Sequence, residues 1–144
     1  MNKTLLLVAS FILLVTSAFK CTKDQNSNEF YAEVGGAVWQ ANESLATKVP
    51  DGLTLQGTLH FSSDYSNIAI YLPRNYSTGV FNIDTAITSV HASYMPHSYS
   101  NSMIFATHGQ VIINNISTFI SGSFKFTLSD STKVESGTFK IKMP

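Results

Sequence analysis

Gly122-Ser123-Phe124-Lys125-Phe126-Thr127-Leu128 and, a short turn later, Gly137-Thr138-Phe139-Lys140-Ile141-Lys142-Met143 decide the class of fold. In each, large apolar residues occupy every second position, and Ser, Thr or Lys fills the places between. A strand sends alternate side chains to opposite faces, so this pattern describes a pleated segment with one dry and one wet face. Ser129-Asp130-Ser131-Thr132 supplies turn residues between the two. Both segments begin Gly-x-Phe, an echo that a repeated strand type explains without any functional role.

Moving outward from this pair, the same period recurs. Phe30, Ala32 and Val34 alternate with Tyr31 and Glu33, Gly35-Gly36 makes a tight turn, and Ala37 to Ala41 is the hairpin partner. Asn42 to Gly52 reads as a loop, marked by Pro50-Asp51-Gly52. Strands follow over 53–61 and 68–72, separated by Ser62-Ser63-Asp64, and a short one over 79–83. Segments 90–94 and 103–106 pair around a loop centred on Pro96 to Asn101, and 109–114 restores strand character. No stretch after residue 30 has a 3.6-residue apolar period. About eight to ten short strands at this spacing predict an all-β, antiparallel two-sheet β-sandwich, with an open barrel as the alternative.

The N-terminus has a different character. Lys3 precedes an apolar run from Leu5 to Val15 broken only by Ser10, and Thr16-Ser17-Ala18 offers small residues to a peptidase. The run is too short to span a bilayer, which takes about 20 residues. Residues 1–21 are therefore expected to be a signal peptide, 22–28 a tether and 29–144 one domain. Cys21, the single cysteine, is the expected lipid-attachment site. Lys20 stands where an acylation motif wants a small residue, so cleavage after Ala18, leaving a soluble periplasmic or secreted protein, stays open. Acyl chains on Cys21 would hold the protein at the outer membrane or cell surface.

Composition excludes some classes. Charged residues are 12% of the chain and aromatics 12%. From Thr22 onward seven Lys and Arg stand against nine Asp and Glu, with no basic run, so nucleic acid is not an expected partner. One cysteine rules out an intrachain disulfide framework. His60, His91, His97 and His108 lack the close pairing of a dependable metal site, even with Met95 and Met103 near, so no metal or cofactor is expected. There is no Gly-x-Ser-x-Gly elbow and no apolar-flanked carboxylate pair, and no catalytic residue is assigned. The remaining lead is aromatic. Tyr65, Tyr71, Tyr76, Tyr94 and Tyr99 fall in or near loops, while Trp39 and Tyr71 suit the core. Tyr94, His97 and Tyr99 are the expected ligand-binding residues for a glycan, peptide or protein partner.

The order of these features resembles a family of uncharacterised Bacteroidetes-type lipoproteins. The resemblance rests on Cys21-Thr22-Lys23-Asp24, on Phe30 to Ala41 with its Gly turn and Trp-x-Ala, on Ile120-Ser121-Gly122-Ser123-Phe124-Lys125-Phe126, and on Gly137-Thr138-Phe139. It implies a small all-β envelope domain and brings no activity with it.

Overall fold

A computed structural model describes residues 27–85, 89–98 and 103–144. The expected signal segment, Cys21 and Tyr99 lie outside the described residues. Every regular element among the described residues is a strand: β1 (Glu29–Val34), β2 (Ala37–Gln40), β3 (Glu43–Val49), β4 (Gly52–Phe61), β5 (Asp64–Pro73), β6 (Gly79–Ile83), β7 (His91–Met95), β8 (Ile104–Ile116), β9 (Phe119–Leu128) and β10 (Lys133–Lys142).

The strands follow one antiparallel path, β2-β1-β10-β9-β8-β7-β5-β4-β3. β8 holds the path together. Its first residues pair with β7, Phe105 opposite Ser93 and Ile104 opposite Tyr94, and its later ones with β6, from Gly109 opposite Ile83 to Ile113 opposite Gly79. β9 follows its other edge from Ala106 to Ile116. The sheet curls until its ends meet, with β10 packed on β3 and β2 on β4. The all-β, antiparallel expectation therefore holds in its open-barrel form: one curled sheet whose two halves face each other across a shared core.

The core is filled from both halves. Phe30, Trp39, Phe124, Phe126 and Phe139 come from the β1–β2–β10–β9 side, and Leu53, Leu55, Ile68, Ile70 and Leu72 from β4 and β5, all buried. Three of the rings lie on glycines. The Cγ of Phe30, 1% exposed, lies 2.6 Å from where Gly57 would carry a Cβ. Phe139 and Gly122 are direct cross-strand partners, as are Phe124 and Gly137. A Cβ on Gly122 would stand 2.8 Å from the tip of the Phe139 ring, and one on Gly137 2.5 Å from the Phe124 ring. The Gly-x-Phe echo is thus a reciprocal fit: each strand's glycine makes room for the other strand's phenylalanine.

Two expectations need correction. Residues 43–49, read as loop, form β3, a strand on the sheet's edge with every residue from Glu43 to Val49 paired to β4. Its outer position leaves Leu45 38% exposed, so no apolar alternation marked it. Segments 103–106 and 109–114, read as two strands, are one strand with a register shift between Ala106 and His108. A bulge inserts an unpaired residue without ending the strand, and so breaks the period that sequence reading depends on.

Candidate functional site

The turn Phe61-Ser62-Ser63-Asp64 joins β4 to β5, with Phe61 and Asp64 as its closing pair. Ser62 takes a positive φ of 55°, where two-residue hairpin turns favour glycine or asparagine. Asp64 leaves this turn with its carboxylate aimed at the loop after β7. One oxygen accepts from the Ser98 amide at 2.7 Å, the Ser98 hydroxyl at 2.6 Å and the Tyr65 amide at 2.7 Å. The other meets His97 Nδ1 at 2.8 Å.

These contacts decide the charge of Asp64. The Ser98 hydroxyl above all, then the Ser98 amide, His97 and the Tyr65 amide, outweigh desolvation and hold the carboxyl well below the usual carboxylate range. A depressed native value contributes stability that is complete above the unfolded carboxyl value of about 3.9 and is lost as pH falls through the native value. The 96–98 segment should therefore stay fastened to the β4–β5 turn in acid that protonates ordinary carboxylates. NMR titration of the Asp64 carboxyl carbon checks this. A midpoint in the ordinary range would mean that the Ser98 and His97 contacts do not persist in solution.

One aromatic ring borders the clamp, and a second pair lies on the other face of the hairpin. The Phe61 ring meets His97 edge-on at 6.1 Å and is 39% exposed. Tyr65, also at the surface, lies 5.8 Å from the His60 ring, whose Nε2 is 3.1 Å from Glu43 Oε2. Asn42 fixes the His60 backbone from both sides, donating to its carbonyl at 3.1 Å and accepting from its amide at 3.0 Å. Beneath this layer runs a buried polar link. Trp39 Nε1–H donates to Ser66 Oγ at 2.7 Å, and Ser66 also bonds the Tyr94 hydroxyl. Burial pushes the Tyr94 hydroxyl up from its usual value, with the Ser66 contact opposing it.

Of the residues expected to bind a ligand, the fold gathers two. His97 is exposed and held by Asp64, while Tyr94 is half-buried and spends its hydroxyl on Ser66. Trp39 is in the core as expected. Tyr71 is not: it lies on the outer face, stacked on His91 at 4.5 Å, with its hydroxyl donating to the Asp51 carbonyl at 2.8 Å. Sequence reading passed over Phe61 and the pivotal Asp64, because an Asp closing a Ser-Ser turn looks like an ordinary backbone cap. Only its distance in the chain from Ser98 hides the contact.

Chemically, the cluster offers a fixed imidazole, the Phe61 ring beside it and a carboxylate. Ser98 gives its hydroxyl to Asp64 rather than to His97, so the three do not form the Asp–His–Ser relay of acyl transfer. Among the described residues, no three His, Cys, Asp or Glu side chains converge as a metal site would require. No helix among them is long and apolar enough to cross a membrane.

The model of a family described as a domain of unknown function (DUF6252) matches residues 26–141. No curated protein matches the chain, and no solved structure does.

Proposed function

The chain belongs to the DUF6252 family, which carries no assigned activity, and from its own residues we propose a non-catalytic binding module of the bacterial cell envelope. In this reading the domain is exported, held to the membrane through acyl chains on Cys21, and grips a protein or peptide partner with the Phe61–His97 surface. The observation that supports it is the clamp at Asp64. Three hydrogen bonds fasten the 96–98 segment while the Phe61 ring, which meets His97, stays at the surface beside it. Aromatic anchors held rigid before binding lose little freedom on association, which is what makes them effective contacts.

Phe61→Ala tests the surface. Its ring is more than a third exposed, so truncation should leave the fold intact while lowering recovery of crosslinked envelope partners by about tenfold or more, as loss of an anchor residue does. Val80→Ala, on β6 and 62% exposed, should leave recovery unchanged. Equal recovery with all three proteins would favour a structural envelope component without a ligand. The anchor is tested separately by intact mass of the membrane and soluble fractions. A species beginning at Cys21 with acyl mass supports it, and a soluble one beginning at Phe19 removes it.

A further inference from the structure

The opposite side of the sheet carries a second surface. β10 bulges between Val134 and Gly137, so Glu135 and Ser136 together face the single residue Lys125 on β9. Ser136 takes a positive φ of 52° to make the bulge, a conformation that costs a non-glycine residue energy and often marks a shaped site. The kink opens two shallow depressions of about 310 and 270 Å³ on either side, and Lys125 lines both.

Charge and hydrogen-bonding capacity concentrate here. The described residues hold six Lys and Arg against eight Asp and Glu, yet four of the six cations, Lys125, Lys133, Lys140 and Lys142, lie on β9 and β10. Across the strands, Asn82, Gln110 and Lys125 stand in one row, the Gln110 amide donating to Asn82 at 3.3 Å. His108, Thr127 and Lys133 form the next row. Glu135 is the one carboxylate lining the depressions.

We propose that this outer face of β8, β9 and β10 binds an acidic polysaccharide, with Lys125 at its centre. Lysines meet the carboxylates, and amide and hydroxyl side chains meet the dense hydroxyls of sugar rings. Other occupants fit less well. All three strands are paired on both edges, so a peptide finds no edge to extend. Among the side chains lining the two depressions, Ile112 is the one apolar group not buried in the core, Phe124, Phe126 and Val134 each being 3% exposed or less. The inference stands apart from the Phe61 surface.

Native electrophoresis of the mature chain through gels containing polygalacturonate, or neutral dextran in parallel, provides the test. Polygalacturonate should retard the protein, dextran should not, and Lys125→Gln should weaken the interaction about tenfold, as loss of one charge-assisted contact does. Lys48→Gln on β3 should behave as the unaltered chain. The proposal is overturned by no retardation, by equal retardation in dextran, or by a Lys125→Gln protein that still binds fully. Binding to phosphatidylglycerol vesicles that is lost in Lys125→Gln, without binding to polygalacturonate, would overturn it too, assigning the face to lipid.

Discussion

Truncating Phe30 to alanine is expected to remove a large share of the domain's stability. The ring is 1% exposed and central to the aromatic cluster, with Phe124 at 5.2 Å, Trp39 edge-on at 6.0 Å and Phe139 at 6.4 Å. Deleting a buried Phe side chain costs about 3–5 kcal/mol, against the roughly 5–15 kcal/mol by which such domains are stable. It also bridges the barrel, since it lies on Gly57 of β4. Gly57→Ala should itself destabilise by about 1–3 kcal/mol, because the new methyl enters the ring's space. Phe30→Leu with Gly57→Ala should then cost less than the sum of the two single changes, as contacting residues are not additive. Urea unfolding of the four proteins reads this out. Strict additivity would show that ring and glycine do not compete for one volume.

Comparable losses are expected at the reciprocal glycines of β9 and β10. A Cβ on Gly122 would stand 1.9 Å from the Ile112 carbonyl oxygen, and one on Gly137 2.6 Å from that of Phe124. A flexible side chain can swing aside, but these neighbours are backbone, so the strands themselves must part. Gly122→Ala and Gly137→Ala should each cost about 3 kcal/mol or more, the upper range of overpacking. Gly36→Ala is the contrast: nothing lies within 4 Å, and only its φ of 82° resists a side chain, which costs roughly 1–2 kcal/mol. If thermal unfolding placed all three substitutions at the same modest cost, backbone conformation rather than space would explain these glycines.

The parts of the fold legible in the sequence are those where one face is dry. β9 and β10 alternate because Phe124, Phe126, Phe139 and Ile141 all enter the core while Lys125, Thr138 and Lys142 do not. β3 lacked that contrast, and β8 lost it at Thr107, where the bulge adds a residue out of phase. The candidate site was legible only in half. His97 stood out as a polar aromatic in a loop, but its partner Asp64 lies 33 residues earlier. No local pattern announces a contact made by folding two distant turns together. Likewise the Gly-x-Phe echo was visible as a repeat, while its meaning depended on the antiparallel register that sets each Gly opposite the other strand's Phe.

Strand β1 lies between β2 and β10, so the first and last strands of the domain are hydrogen-bonded neighbours, Phe30 opposite Phe139 and Val34 opposite Val134. For a chain made from its N-terminus, this imposes an order. Until β10 emerges, the β1–β2 hairpin has no third strand, and β9 lacks one edge. A two-stranded hairpin alone is marginal in water. The curled sheet therefore closes only when β10 arrives and takes its place between β1 and β9.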